Sequence, residues 1–155
     1  MSVAVVGIAG VLLGALLNAL GGYVLMRRRE KREIRTAARL LLPELLENRS
    51  TLDTALVLER WECVSFDTER WQQYETVLAG SMGERWTELT KTYTAFTLLN
   101  ADRSHREPDA VIDDGDDFEY LLLAKDSADE AIGIVHQLAG VPQGTKLKLQ
   151  EVFGV

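Results

Sequence analysis

The chain has 155 residues, a length that suits one modest domain, and a net charge of −7. The charge is unevenly distributed: residues 27–39 hold seven basic and two acidic side chains, whereas residues 40–155 hold ten basic and 22 acidic ones. Such an acidic domain lacks the basic patch that nucleic-acid binding requires, so we expect no nucleic-acid partner.

The uncharged run Val3–Met26 predicts a membrane-spanning helix. A helix crosses the hydrocarbon core with about 20 apolar residues, and this run contains 24 residues without a charge. A cleaved signal peptide is the alternative, but it requires a shorter apolar region and a small-residue cleavage site, which "YVLMRRR" does not supply. We therefore predict an uncleaved anchor in the lipid bilayer over residues 1–26.

Residues 27–39 form a basic juxtamembrane segment, which sets the orientation of the predicted span. Because clustered Lys and Arg residues resist translocation, we expect a cell-membrane protein with its N-terminus outside and its C-terminal domain cytoplasmic. Basic side chains at this position attract anionic lipid headgroups. The residues expected to contact headgroups are Arg27, Arg28, Arg29, Lys31, Arg32 and Arg35.

Small residues recur along one face of the predicted span. Gly10 and Gly14 form a small-x-x-x-small pattern, which lets two helix backbones approach closely in lipid. Asn18 continues the face, and its amide is better satisfied across a helix pair than in contact with lipid. The sequence therefore favours self-association of the span over a monomeric anchor. The predicted face consists of Gly7, Gly10, Gly14, Asn18 and Gly21.

The first soluble helix is predicted to continue from the span. Apolar residues and one asparagine follow one another at helical spacing. Pro43 lacks an amide proton, so we expect a kink or a restart near Leu42, and the helix should end around Glu59 to Trp61. The predicted buried face consists of Ile34, Ala38, Leu41, Leu45, Asn48, Leu52 and Ala55.

Two further helices are predicted between residues 68 and 100. Asp67 is a suitable N-cap for the first, over residues 68–79. Ser81 and Glu84 fit a capping box that starts the second. The threonine-rich second segment leaves a strand open, but its aromatic spacing favours a helix. The predicted core positions are Trp71, Tyr74, Leu78, Trp86, Leu89, Tyr93 and Phe96.

A polar loop is predicted over residues 100–115, followed by a last helix from Asp116 or Asp117 to about Ala139. Gly140 and Pro142 end that helix, and residues 141–155 form an extended tail. The predicted apolar side of the last helix consists of Phe118, Leu121, Leu122, Ala128, Ile132, Val135 and Leu138.

These elements predict an all-α protein: one N-terminal transmembrane helix followed by a small cytoplasmic bundle of about four helices. The bundle is expected over residues 40–140.

The polar residues give no motif for catalysis or metal binding. The acidic stretch "DAVIDDGDDFE" fails the EF-hand pattern, because Gly115 in the sixth position places Ala110, Ile112 and Leu121 where oxygen ligands are needed. His105, His136 and the single Cys63 have no partner at metal-ligand spacing. We therefore predict no metal, no cofactor and no catalytic residue, and a protein that is not an enzyme.

The sequence favours a membrane-anchored protein whose cytoplasmic bundle binds an unknown cytoplasmic protein, with self-association through the span. The alternative is a small membrane-active protein of the lysis or toxin type that forms a pore or lesion. Asn18 is the one polar side chain available to such a pore between Val3 and Met26, apart from Tyr23, and one amide per helix lines water poorly.

Overall fold

The computed structural model describes the backbone of residues 3–107, 110–112 and 115–140, and the side chains of these residues from Gly14 onward except at Ser81. A short 3-10 turn lies at Trp61–Cys63. Apart from one isolated bridge between Arg60 and Val111, the regular structure in these ranges is helical. The predicted all-α bundle is confirmed. The helices are α1 (Val3–Leu58), α2 (Glu69–Met82), α3 (Arg85–Ser104) and α4 (Asp116–Ala139).

Among the residues that the structure describes, no helix is both long enough and apolar enough to cross a membrane. The transmembrane span predicted over residues 1–26 is therefore not confirmed. Met1, Ser2 and the side chains of residues 3–13, which make up the first half of that span, lie outside the described part.

The chain divides after Glu33 into two compact units. Between Gly14 and Glu33, the first unit is a single stretch of α1 whose described side chains are all exposed. The second unit begins at Ile34 and holds the helical bundle. Ala37 and Ala38, which belong to the predicted juxtamembrane segment, are buried in this unit, so the bundle includes the end of that segment.

Helix α1 runs through Pro43 without interruption, so of the predicted kink or restart near Leu42 the restart is excluded. Pro43 lies on the exposed side of the helix, where its missing amide costs one solvent-side hydrogen bond. Leu42 and Glu44 on either side of it are buried and held by the core. The predicted buried face is confirmed except at Ile34, which is half-buried.

The chain turns sharply at the end of α1. Glu59 adopts a left-handed backbone conformation with φ of 53°, which ends the helix within the predicted range. The following residues pair with the loop before α4: the Trp61 amide donates to the Ala110 carbonyl at 3.1 Å, and the Ile112 amide donates to the Glu59 carbonyl at 2.8 Å.

The break between α2 and α3 lies later than predicted. Ser81 belongs to the last turn of α2, so the Ser81–Glu84 capping box is wrong. Leu78 and Met82 are both buried, and their four-residue spacing keeps the helix on the core beyond Gly80. The turn is made instead at Gly83, whose φ of 54° suits a residue without a Cβ.

Helix α4 has the predicted bounds, and it runs antiparallel to both α3 and α1. On the α3 side, the Thr92 and Ser127 hydroxyls lie 2.7 Å apart. On the α1 side, Arg49 pairs with Asp129 at 3.0 Å. Leu122, which the sequence places on the apolar side of this helix, is 40% exposed. The small buried residues Ala124, Ala128, Ala131 and Ala139 instead let α4 approach the core closely.

Stacked aromatic rings fill the core between α2 and α3. The Trp71 ring lies 4.5 Å from Tyr93 and 5.0 Å from Trp86, centroid to centroid. Phe66, in the connection before α2, stacks on Phe96 at 4.8 Å. Offset stacking of this kind adds about 0.5–1.5 kcal/mol per pair beyond the burial of apolar area.

Candidate functional site

The predicted self-association face is open along its described part. Gly14, Asn18 and Gly21 are exposed, and, beyond the adjacent residues and backbone of the helix itself, no described atom lies within 4 Å of the positions that a Cβ would occupy at Gly14 and Gly21. Gly7 and Gly10 lie in the backbone of α1, but their surroundings fall outside what is described. The structure therefore leaves room for a second helix against this face.

Large apolar side chains cover the rest of the same helix segment. They are between 46% and 71% exposed, far more than the core residues of the bundle. An exposed apolar surface of this kind marks contact with lipid or with another protein. The residues are Leu16, Leu17, Leu20, Tyr23, Val24, Leu25 and Met26.

The basic side chains that follow are exposed as well, from Arg27 to Arg32. The Arg27 guanidinium lies 5.5 Å above the Tyr23 ring, and Arg29 pairs with Glu33 at 2.9 Å. These contacts lie along one helix and leave the remaining basic side chains free to meet an anionic surface.

Arg35 differs from the other predicted headgroup residues because it lies beside the C-terminus of α4. Its Nε is 3.3 Å from the position that a Cβ would occupy at Gly140. Arg39, one turn later, donates a 3.2 Å hydrogen bond to the Ala139 carbonyl. Both cations therefore stand where the negative end of the α4 dipole is stabilised by positive charge.

Among the described charged side chains of the bundle, the carboxylate of Glu44 is the most buried, at 2% exposed. It accepts hydrogen bonds from the backbone amides of Arg70 at 2.8 Å and Trp71 at 3.3 Å, and from the Tyr93 hydroxyl at 2.8 Å. Asp67 accepts from the amide of Glu69 at 2.9 Å. The first backbone amides of a helix have no carbonyl partner within the helix. At the start of α2, two carboxylates accept the hydrogen bonds of three such amides.

Burial governs the acid–base behaviour of this pair. Loss of solvent around Glu44 raises the pKa of its carboxyl above the ordinary value of 4.5, although the Tyr93 hydroxyl and the two amides oppose this. Burial also raises the pKa of the Tyr93 hydroxyl above its ordinary value, helped by the adjacent charge of Glu44. Tyr93 therefore remains a hydrogen-bond donor.

Sequence reasoning missed Glu44. The available signal was a single charged residue among Leu41, Leu42 and Leu45, on a helix face that otherwise reads as core. A charge in that position has to be paired or hydrogen-bonded when it is buried. Its partners could not be identified, because Arg70 and Tyr93 are 26 and 49 residues away in the chain.

Two asparagines hold the connection between α1 and α2. Asn48 donates to the Asp67 carbonyl at 2.6 Å and accepts from the Asp67 amide at 2.9 Å. Asn100 pairs with the backbone of Phe66 in the same reciprocal way, at 2.8 and 2.9 Å. Asn48, the polar position in the predicted apolar face, is thus buried with both its amide NH2 and its amide oxygen hydrogen-bonded to backbone groups.

The acidic loop is joined to the rest of the bundle by Arg106. This guanidinium contacts Asp117 through two hydrogen bonds of 2.7 and 2.9 Å and lies 4.0 Å above the Trp61 ring. Within the described ranges, no group of three or more His, Cys, Asp or Glu side chains is arranged to hold a metal ion. Asp109, Asp113 and Asp114 lie outside those ranges.

A shallow cleft with a volume of about 460 Å³ lies over the outer face of α3. Half-buried Trp86 and the exposed Leu98 form its apolar lining on α3, and Tyr120 contributes from α4. The Thr90 hydroxyl donates a 2.9 Å hydrogen bond to the Trp86 carbonyl. The cleft therefore offers mainly apolar area, which suits protein contact better than recognition of a polar small molecule.

Comparison of the chain with protein families, with curated proteins and with solved structures found no match.

Proposed function

We propose that the chain is a single-pass membrane-anchored protein whose helical bundle is a cytoplasmic protein-interaction module. The observation that carries the proposal is the exposed apolar surface of α1 between Leu16 and Met26. In sequence this surface continues back to Val3 without a charged residue. A bilayer removes such a surface from water at a length that suits a helical span.

The exposed cations that follow Met26 support the orientation. Five of the seven charges from Arg27 to Glu33 are positive. Each exposed Lys or Arg near an anionic membrane surface contributes about 1 kcal/mol of attraction. We place this segment and the bundle on the cytoplasmic side of the cell membrane, with the N-terminus outside.

The open face around Gly14 and Asn18 supports self-association of the span. Helices in lipid associate through small residues that permit close packing, and an interhelical hydrogen bond adds about 0.6 kcal/mol. We propose a helix pair in which Gly7, Gly10 and Gly21 extend this face.

The bundle is proposed to act by binding and not by catalysis. Its most deeply buried carboxylate, Glu44, has its acceptor oxygens committed to the α2 amides and to Tyr93. Those contacts support a structural role for this buried carboxylate.

Alkaline extraction of membranes tests the anchor. The chain is expected to stay in the membrane pellet, whereas the double variant Leu17→Lys/Leu20→Lys is expected in the supernatant, because two charges in the span are costly. Val57→Lys/Leu58→Lys is the control, since these residues are also exposed and apolar but lie in the bundle unit. Release of the unaltered chain would refute the anchor.

A membrane-based association reporter tests the helix pair. Gly14→Ile and Asn18→Leu are expected to weaken association, while Leu16→Ile on the opposite face of the helix leaves it intact. Equal signals for all three variants would show that this face makes no contact.

A further inference from the structure

Apolar side chains are exposed on both helices that border the α3 cleft. Leu98 is 54% exposed on α3, and Tyr120 and Leu123 are 38% and 59% exposed on α4. Trp86 and Leu98 are twelve residues apart, so the lined part of α3 is about 18 Å long. That length matches about three turns of a helix laid against it.

The Asp, Glu and Lys side chains of α4 that have no ion-pair partner in the described structure are all acidic. Three of its charged residues are engaged: Asp117 pairs with Arg106, Lys125 with Asp53, and Asp129 with Arg49. The remaining acidic residues of α4 are exposed and have no ion-pair partner among the described side chains. They are Asp116, Glu119, Asp126 and Glu130.

Three of these free charges lie on a face of α4 next to a residue that lines the cleft. Glu119, Leu123, Asp126 and Glu130 follow one another at three- and four-residue steps, which places them on one exposed face of α4. Tyr120, which lines the cleft, is adjacent to that face. On the α3 side, Lys91 is neutralised by Glu88 at 2.9 Å. The cleft is therefore apolar in its lining and negative along its α4 rim.

We propose that this cleft binds a basic amphipathic helix of a partner protein. Apolar residues of that helix, at every third or fourth position, contact Trp86, Leu98 and Tyr120. Lysine or arginine residues on one edge meet the carboxylates of α4. The negative rim disfavours anionic lipid and nucleic acid as occupants. This inference rests on the proposed role of the bundle as an interaction module and states the class of partner that it recognises.

A displayed library of helical peptides is the direct test. The peptides carry Leu, Ala or Thr at every third or fourth position and Lys, Glu or Gln elsewhere, and they are selected against the full chain in micelles of an uncharged detergent. We expect enrichment of a Leu-containing face flanked by Lys. Enrichment of Glu, or of no pattern, would overturn the proposal.

Single substitutions locate the binding. Leu98→Glu is expected to weaken binding of a selected peptide by about tenfold or more. Val57→Glu is the matched control, because Val57 is 79% exposed and lies on α1, outside the cleft lining. Tyr120→Glu, at a residue that lines the cleft from α4, serves as a second cleft variant if circular dichroism shows that Leu98→Glu disturbs the fold. Unchanged affinity in the folded cleft variants would refute the site.

Charge neutralisation completes the test. The triple variant Glu119→Gln/Asp126→Asn/Glu130→Gln is expected to lose the preference for Lys and to flatten the salt dependence of binding. Displacement of the peptide by an excess of the Leu98→Glu chain, which itself binds the peptide weakly, would identify a second copy as the occupant and overturn the proposal. The peptide selection takes place in micelles and does not depend on the membrane anchor. Its failure would therefore refute the peptide site without refuting the anchor, which the membrane extraction tests separately.

Discussion

The Tyr93 hydroxyl on α3 donates a 2.8 Å hydrogen bond to the Glu44 carboxylate on α1, and the same carboxylate accepts from the amides of Arg70 and Trp71 in the first turn of α2. One buried side chain thus connects three helices. The Tyr93 ring also stacks on Trp71 with an interplanar angle of 6°, so the polar contact and the aromatic core depend on the same residue.

Tyr93→Phe is expected to lower the free energy of unfolding by about 1.5–3 kcal/mol, the range for a hydrogen bond to a charged group. Urea denaturation of the full chain in an uncharged detergent measures it. Tyr74→Phe is the control, since Tyr74 is half-buried and its hydroxyl forms no hydrogen bond within the described structure. Equal losses in both variants would contradict the role of the Glu44 contact.

The ionisation of Glu44 should make the free energy of unfolding depend on pH. Its pKa is raised above 4.5 in the folded chain, chiefly by burial, so the folded state binds this proton more tightly than the unfolded state does. The resulting stabilisation is present below pH 4.5 and is lost as the pH rises through the folded-state pKa. Other carboxylates titrate in the same range, so the comparison must be made against a variant that lacks only this one.

Glu44→Gln is that variant, because the amide keeps the shape of the side chain and does not ionise. The unfolding free energy of the unaltered chain minus that of Glu44→Gln is expected to fall as the pH rises from about 4 towards neutrality. Urea titrations at a series of pH values give this difference. A difference that increases with pH would mean that the hydrogen bonds outweigh burial.

Arg106→Lys should destabilise the bundle by about 1–2 kcal/mol, because an ammonium cannot reproduce the two-point contact with Asp117 or the stacking on Trp61. Arg103→Lys makes the same change one turn earlier, at an exposed residue without an ion pair in the described structure. The unfolding temperatures of the two variants test this expectation. If they are equal, the contacts of Arg106 contribute nothing measurable to stability.

Two glycines should respond to alanine in opposite directions. Gly140 has φ of +64°, and a Cβ there would lie 3.3 Å from Arg35, so Gly140→Ala is expected to cost about 1–2 kcal/mol. Gly80 lies inside α2 with open space around it, and Gly80→Ala should stabilise by about 0.5–1 kcal/mol. Denaturation curves that move in the same direction for both would contradict the helix end at Gly140.

The helices could be predicted where local signals agreed. The bounds of α4 followed from acidic residues at its start and from Gly140 at its end, and the α3 core followed from Leu89, Tyr93 and Phe96 at helical spacing. The α2–α3 break was misplaced because Ser81 and Glu84 fit a capping box, whereas burial of Met82 extended α2 by another turn. Tertiary burial outweighed a local capping preference.

The cleft and the Glu44 contacts could not be predicted, because they depend on distant pairs. In the sequence the acids of α4 are scattered. The unpaired ones are set apart only by the ion pairs of Asp117, Asp129 and Lys125 with residues outside the helix. Periodicity places a residue on a helix face, but it does not say which neighbour that face will meet.

Labelling of single cysteines tests the anchor and its orientation most directly. In a Cys63→Ser background, Ser2→Cys or the exposed Glu47→Cys is expressed in intact cells and treated with a membrane-impermeant maleimide. We expect Ser2→Cys to react in intact cells and Glu47→Cys to react only after lysis. Reaction of both cysteines in intact cells, or of neither before lysis, would contradict a membrane crossing between them, and the reverse pattern would contradict the proposed orientation.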